Sequence, residues 1–211
     1  QPPWIYAIIA MHILGFSPKQ KNMAAAINAL NLHWTEKTEK GTRVKATESP
    51  VWDTMLALNA LLDAGLGADD EGILKAVDYL LENENKTYGD WSEKLGRNIE
   101  PTGWAFQRAN KFYPDIDDTA VAMIALKKFR KLLSDGDGRG KRVDGAIRRS
   151  ISWLAAMQSR NGGWGAFDKN NDKSLITKIP FCDFGEVLDP PSVDVTAHVV
   201  EALVACGVPK D

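Results

Sequence analysis

Three related segments recur along the chain, and this repetition constrains the fold more than any other feature. The segments are SPVWDTMLALNALLDAG at 49–65, YPDIDDTAVAMIALKKF at 113–129 and PPSVDVTAHVVEALVACG at 190–207. When they are aligned on their threonines, alanine follows six positions later and leucine seven positions later in every copy. This spacing of small and large apolar residues, preceded by proline and acidic residues, predicts one apolar helix per copy.

Further helices are predicted between these copies, each with one apolar stripe and one charged face. Their residues are 24–32, 72–84 and 144–158. The last two are followed by the Gly-Trp sequences GDW at 89–91 and GGW at 162–164, while SDGDGRGKR at 134–142 is interpreted as a solvated turn. No alternation typical of strands is found. We therefore expect an all-α fold of stacked helical hairpins, bent so that the apolar helices line the inside.

Charge and cysteine content exclude several classes of protein. Lys and Arg total 26 against 28 Asp and Glu, without the basic cluster that a phosphate backbone requires, so nucleic acid is not an expected partner. Cys182 and Cys206 lie far apart, which argues against a disulfide framework or a zinc site and suits a reducing compartment. The apolar run 4–16 is shorter than the ~20 residues of a membrane-spanning helix. Since the chain starts at Gln1 without methionine, we expect an internal piece of a longer chain.

Three carboxylates, Asp115, Asp117 and Asp118, stand directly in front of the second apolar helix. One interpretation is helix capping, but a single cap needs only one carboxylate. Because neighbouring carboxylates repel, at least one of them is expected to have a raised pKa. Two further interpretations remain open: a divalent metal site for a diphosphate, and a carboxylic acid kept protonated in an apolar pocket as a proton donor.

The third copy of the repeat supports the interpretation as a proton donor. Two positions after the aligned threonine, His198 replaces the aliphatic Leu56 and Val121, and two positions before it Asp194 matches Asp117. If equivalent positions face one cavity, Asp117, Asp194 and His198 converge on it. The alternative is that His198 is a satisfied core histidine.

Aromatic residues are frequent near these helix starts. They are Trp52, Trp104, Phe106, Phe112, Tyr113, Trp164 and Phe167. Most aromatic side chains in proteins serve packing. Around an acid that protonates an apolar substrate, however, their faces would stabilise the resulting carbocation through cation–π interactions. The long connection 161–192 is also expected to be functional, since structureless loops of this length are uncommon in compact domains.

These motifs together resemble the class II triterpene cyclases. DIDDTA at 115–120 is similar to the DxDD acid motif of that family, and QSRNGGW at 158–164 to its Gln-Trp repeat signature. Four further segments look like family segments: SPVWDT (49–54), GGWGAFD (162–168), PFCDFGEVLDPPS (180–192) and DVTAHVVE (194–201). The resemblance covers essentially the whole chain. The chain departs from it at Glu84, where the signature has glutamine, and before residue 49, where a Gly-Trp unit is missing.

The resemblance implies a role for each candidate residue, without a cofactor or metal. Asp117 is implied as the proton donor to the terminal alkene of squalene, assisted by Asp115 and Asp118, with His198 hydrogen-bonded to the donor and Asp194 in support. The implied substrate contacts and termination-controlling residues are Trp52, Phe106, Phe167, Trp104, Gln1 and Pro2.

The resemblance also implies an architecture of two α/α barrels, or toroids. Residues 1–48 would end the first barrel, and residues 49–211 would form the N-terminal half of the catalytic barrel. A homodimer bound to the cytoplasmic face of the membrane is implied, with squalene as substrate and a pentacyclic hopanoid hydrocarbon or alcohol as product. Two alternatives stay open: a related cyclase of a C35 or diterpene precursor, and a non-catalytic helical-repeat binding module.

Overall fold

A computed structural model describes residues 2–45, 48–96, 98–106, 110, 112–173, 175, 178 and 187–209, with Pro2 and Pro3 as backbone only. The chain forms two compact units, residues 1–48 and residues 49–211. The assignment of these units to two barrels stays a prediction, and Cys182 lies outside the described residues.

The first unit contains two helices and a β-hairpin. Helix α1 covers Pro2–Ile13 and packs against α2, Lys21–Trp34. The strands β1, Thr35–Thr38, and β2, Gly41–Val44, pair antiparallel with Thr35 opposite Val44. Among the described residues of this unit, Met23 is the one fully buried apolar side chain.

The hairpin contradicts the expectation that the chain has no strands. Its second strand is exposed at every position, and the first strand is half-buried at two positions and exposed at two. Because no face of the hairpin is buried, selection does not impose an alternation of apolar and polar residues, and the sequence pattern gives no signal. The pairing of Arg43 with Glu36 across the strands illustrates how polar contacts hold the hairpin instead.

The second unit is a two-layer array of helices, which confirms the predicted all-α fold. The inner layer consists of α3, Pro50–Asp63, α6, Ile116–Arg130, and α8, Val193–Cys206, and each packs on the next. The outer layer consists of α4, Glu71–Asn83, and α7, Gly138–Met157. The short helix α5, Trp91–Leu95, lies in the connection between α4 and α6.

Helix α6 is the centre of this unit because α3, α7 and α8 all pack against it. Its residues from Asp118 to Leu126 are buried without interruption, so it lacks the one-sided apolar stripe of a surface helix. Small side chains such as Ala120, Ala122 and Ala125 allow the neighbouring helices to approach closely. The carboxylates at its start are therefore attached to the most enclosed element of the unit.

The loops before α6 and α8 are fixed to these helices by the same set of contacts. Thr119 Oγ1 accepts the N–H of Trp104, and Asp115 N–H donates to the Trp104 carbonyl at 2.7 Å. In the next copy Thr196 Oγ1 accepts the N–H of Trp164 in the same way. The aligned threonines thus bind the preceding loop.

This equivalence corrects the alignment of the Gly-Trp units. The sequence GDW at 89–91 was predicted to match GGW at 162–164. In the structure, Gly103 and Trp104 occupy the place of Gly163 and Trp164: each glycine carbonyl accepts an N–H from the end of the outer helix, from Asn85 or Ser159. The prediction was wrong because α5 and its flanks are inserted between Glu84 and the true equivalent of the loop.

The expected turn at 134–142 is partly helical, because α7 begins at Gly138, six residues before the predicted start at 144. Asp137 caps the helix by accepting the N–H groups of Arg139 and Gly140 at 2.7 and 2.9 Å. Arg139 then forms a bidentate ion pair with Asp78 on α4. The glycines concealed this extra turn, since glycine is a poor helix former. Within the described part of the chain, no helix combines the length and apolar content needed to cross a membrane.

Candidate active site

The candidate site lies at the start of α6, where the three carboxylates have different surroundings. Asp115 is the N-cap residue, and its Oδ1 accepts the N–H groups of Asp117 and Asp118 at 2.8 and 3.4 Å. Burial raises the pKa of Asp115 to about 6, although these two hydrogen bonds act in the opposite direction. The capping interpretation thus accounts for one of the three carboxylates.

Asp118 is almost completely buried, with 1% of its surface exposed. Its Oδ1 atom has no hydrogen-bond partner among the described residues. Burial, together with the negative charges of Asp115 and Asp117, raises the pKa of Asp118 to about 8. This side chain is therefore a neutral carboxylic acid at neutral pH, which is the result expected for closely spaced carboxylates in an apolar environment.

Asp117 forms a direct hydrogen bond with His198. The two atoms are Asp117 Oδ1 and His198 Nδ1, and they are 2.6 Å apart. The side chains are 24% and 39% exposed, so the pair lies at the open side of the inner layer and not in the core. The contact joins the first turn of α6 to the second turn of α8, two adjacent inner helices.

Asp194 is in the first turn of α8 and is exposed. Its pKa is lowered first by a hydrogen bond from Ser192, then by backbone N–H groups, and further by His198. In the described structure Asp194 makes no hydrogen bond to Asp117 or His198. Its influence on the pair is therefore electrostatic, and its supporting role stays a prediction.

The predicted substrate contacts differ in their surroundings. Trp52 and Phe106 are half-buried, and Phe167 is 36% exposed with its ring centroid 5.4 Å from that of Tyr113. No hydrogen bond among the described residues connects Trp52 or Phe106 with Asp117 or His198. Phe167 is connected to the start of α6 by its neighbour, since the Ala166 carbonyl accepts the Ile116 N–H at 2.8 Å.

Trp104 has a different role from the one predicted. It is fully buried, and its indole Nε1–H donates to the Leu80 carbonyl at 2.7 Å. Trp164 donates in the same way to Leu154. A side chain enclosed between the inner and outer layers does not reach a substrate, so we assign Trp104 to the core. Gln1 lies outside the described residues, and only the backbone of Pro2 is described, at the start of α1.

Two interacting residues were not predicted as such: one was not noted in the sequence, and the other was noted only as a departure from the repeat signature. The first is Asp189, whose carboxylate binds the loop that carries Phe167. The second is the buried Glu84, which Arg149 contacts through two 2.8 Å hydrogen bonds and Thr102 through one of 2.9 Å. The departure of Glu84 from the repeat signature was visible in the sequence, but its partners are 18 and 65 positions away.

Comparison with known proteins agrees with the predicted fold. The sequence model described as squalene–hopene cyclase C-terminal domain matches residues 48–211. The chain therefore belongs to the squalene–hopene cyclase family, which confirms the resemblance to class II triterpene cyclases.

Individual relatives match nearly the whole chain. The squalene–hopene cyclase of Alicyclobacillus acidocaldarius is 45% identical over 98% of this chain and 32% of its own length. The squalene–hopene cyclase of Schizosaccharomyces japonicus is 38% identical over 100% of this chain and 32% of its own length. The enfumafungin synthase of Hormonema carpetanum is 37% identical over 96% of this chain and 15% of its own length. The chain thus spans about a third or less of the length of these relatives.

Proposed function

We propose that the complete protein cyclises squalene to a pentacyclic hopanoid, starting with protonation of the terminal alkene. The observation that carries this proposal is the 2.6 Å hydrogen bond between Asp117 and His198. It places an acid beside a base at the open side of an apolar inner layer, in a chain whose relatives include squalene–hopene cyclases. Such an arrangement can deliver a proton and stabilise the carboxylate that remains.

Asp117 is the proposed proton donor. Its Oδ1 is engaged by His198, while its Oδ2 makes no hydrogen bond to any described residue and is free to face a substrate. Transfer of the Oδ2 proton to the terminal double bond forms a C–H bond and leaves a tertiary carbocation. The Nδ1–H of His198 then stabilises the carboxylate left on Asp117. Asp118 keeps its proton at neutral pH. The carboxylate that forms when Asp117 donates its proton is therefore not flanked by two negatively charged aspartates.

The carbocation then propagates through the substrate as each double bond closes a ring. The predicted aromatic contacts, Trp52, Phe106 and Phe167, would stabilise successive cations through their π faces. Loss of a proton ends the cascade as hopene, and addition of water followed by loss of a proton ends it as hopanol. Gln1 and Pro2 remain the proposed residues that influence this last step.

The remaining proposals concern the complete protein. Residues 1–48 would close a first α/α barrel and residues 49–211 would form half of the catalytic barrel. We further propose a homodimer attached to the cytoplasmic face of the membrane, from which an apolar substrate such as squalene would enter. These statements rest on the family resemblance.

A second candidate is a cyclase of another polyprenoid, such as a C35 chain or a diterpene precursor. One observation favours keeping it: the enfumafungin synthase, a relative with another name, is 37% identical over 96% of this chain.

The test is incubation of the complete protein with squalene, followed by gas chromatography and mass spectrometry of the products. The variant Asp117→Asn is expected to keep its fold by circular dichroism and to lose cyclised product at least 100-fold, because the amide has no acidic proton. The matched control Asp69→Asn changes an exposed carboxylate between α3 and α4 and should retain full activity. Activity of Asp117→Asn near that of the control would refute the assignment.

A further inference from the structure

The carboxylate of Asp189 accepts three consecutive backbone N–H groups from one loop. Its Oδ1 accepts the N–H of Ala166 at 2.9 Å, and its Oδ2 accepts those of Phe167 and Asp168, each at 2.6 Å. Hydrogen bonds to an ionised acceptor are shorter and about twice as strong as neutral ones. Three of them on adjacent residues fix the backbone of this loop at the residue that carries the Phe167 side chain.

The approach of Asp189 to the loop depends on Gly165. A Cβ atom at this position would lie 2.6 Å from the Asp189 carbonyl oxygen and 2.8 Å from its Oδ2. Both separations are shorter than real carbon–oxygen contacts allow. A second connection supports the same geometry, since Asp189 N–H donates to the Asn171 carbonyl at 3.0 Å, and Asn171 Nδ2 donates to Asp168 at 2.7 Å.

The loop is also joined directly to the acid-bearing helix. The Ala166 carbonyl accepts the N–H of Ile116, the residue between Asp115 and Asp117. Phe167 contacts Tyr113 just before the same helix. Burial is the main cause of the raised pKa of Asp115, and the charge of Asp189 adds to it, so Asp189 is close enough to act electrically on the acid motif.

The repeat itself does not require a carboxylate at this position. Asp189 is three residues before the N-cap Ser192, and the equivalent residue three before the N-cap Asp115 is Phe112. The contacts common to both copies are those of the tryptophan and threonine residues. The carboxylate is therefore particular to the loop that presents Phe167.

We propose that Asp189 is a positioning residue of the cyclase: by holding the backbone of residues 166–168, it fixes the Phe167 ring relative to the proton donor Asp117. This inference rests on the proposed function. Cation–π stabilisation requires the ring face to lie within about 6 Å of the charge, so a loosened loop weakens it at the ring closure that Phe167 serves. Cations that are not stabilised lose a proton early and leave the enzyme as incompletely cyclised products.

The experiment compares product distributions of the complete protein with squalene. Asp189→Asn replaces one acceptor oxygen by an amide NH2 group, which cannot accept the backbone N–H groups of the loop. The variant should therefore raise the share of incompletely cyclised products about tenfold or more. The value of KM should change little, because none of the predicted substrate contacts is removed. The control Asp172→Asn removes an exposed carboxylate of the same connection that has no hydrogen bond among the described residues, and its products should match those of the unchanged protein.

A double variant separates positioning from general destabilisation. In a Phe167→Ala background, Asp189→Asn should add less than twofold to the share of incomplete products, because the ring that it positions is absent. A full additional effect in this background would overturn the inference. So would an Asp189→Asn variant that folds and gives the unchanged product distribution.

Two further measurements keep the outcomes distinct. If Asp189→Asn folds poorly, Gly165→Ala tests the same contact from the other side and should shift the products in the same direction. An unchanged product distribution would contradict the inference.

If the unchanged protein makes no cyclised product from squalene, the proposed function fails and this inference fails with it. If the unchanged protein is active and only the Asp189 effects are missing, the proposed function stands alone.

Discussion

At the scale of single residues, the carboxylates at the start of α6 show how position within one helical turn separates three tasks. Asp115 uses its oxygens to accept backbone N–H groups, Asp118 is enclosed and protonated, and Asp117 reaches His198 at the open side of the layer. Successive residues of a helix point in directions about 100° apart, so the three side chains cannot share one environment. The different surroundings of the three aspartates thus follow from the backbone geometry.

The burial of Asp118 predicts a specific pH dependence of stability. Its pKa is about 8 in the folded protein, against roughly 3.9 for an unfolded aspartate. At pH values between these two, the folded state binds a proton that the unfolded state lacks, so the free energy of unfolding falls as pH rises, by up to about 1.4 kcal/mol per pH unit from this group.

The variant Asp118→Asn should remove this contribution. Urea unfolding of the complete protein at pH 5, 6 and 7 should therefore show a shallower decline for Asp118→Asn than for the unchanged protein. Equal slopes for the two proteins would mean that Asp118 does not retain its proton on folding.

The cap function of Asp115 can be separated from its charge. Asp115→Asn keeps a side-chain oxygen that accepts the first-turn N–H groups, whereas Asp115→Ala removes it, so the alanine variant should be less stable by about 1 kcal/mol. Asp70, which caps the outer helix α4 by accepting the N–H of Ile73, provides the matched comparison. Asp70→Ala should cost about the same stability in urea unfolding but leave cyclisation unchanged. A stable Asp115→Ala variant would contradict the capping role.

At the scale of helices and loops, Glu84 shows how the chain accommodates a departure from the family signature. The residue ends α4 where the signature has glutamine, and the equivalent end of α7 is Gln158. Burial opposes the ionisation of Glu84, but hydrogen bonds from Arg149 and Lys86 more than offset it and lower its pKa. The ion pair with Arg149 links the end of one outer helix to the next.

Breaking this pair should destabilise the protein. Glu84→Ala leaves the guanidinium of Arg149 without its partner in a half-buried position, at an expected cost of about 3 kcal/mol in the free energy of unfolding. The double variant Glu84→Ala, Arg149→Met removes both charges and should recover part of the loss. Equilibrium unfolding of the single and double variants measures this coupling, and strict additivity would show that the two side chains do not interact.

The sequence predicted the inner and outer helices but not their connections. Aligning the repeats on Thr119 and Thr196 placed Asp117 two positions before the threonine of its copy and His198 two positions after the threonine of the next copy. The two side chains proved to be in contact, because the neighbouring inner helices pack together. The exposed hairpin and the inserted α5 left no periodic signal. Asp189 was missed because a carboxylate that binds backbone N–H groups has no partner side chain to give a sequence pattern.

At the scale of the whole molecule, the second unit leaves apolar side chains exposed on its last inner helix. On α8, Val193 is 88% exposed, and Val200 and Val204 are about half-exposed. Val193 and Val200 line a groove together with Pro191 and Ala197. Exposed apolar areas of this kind mark surfaces that are covered by other parts of a protein or that aggregate. The relatives are about three times as long as this chain.

Residues 1–211 in isolation should therefore aggregate and form no cyclised product. The double variant Val200→Lys, Val204→Lys should reduce aggregation in sedimentation velocity experiments, since it interrupts the apolar face of α8. Leu132→Lys is the matched control, because Leu132 is also exposed but follows α6, away from that groove. Soluble monomer and cyclised product from the unchanged 211 residues would contradict both expectations.

The shared contacts of Thr119 and Thr196 have a consequence for how the chain reaches its native state. Each threonine offers the same acceptor to a Gly-Trp loop, so a denatured chain contains two competing docking places for the Trp104 loop and two for the Trp164 loop. During synthesis from the N-terminus, Trp104 and Thr119 are made before Trp164 and Thr196, so the first pair can form without a competitor. Renaturation from urea lacks this temporal order and should yield mispaired, slowly converting species that vectorial synthesis avoids.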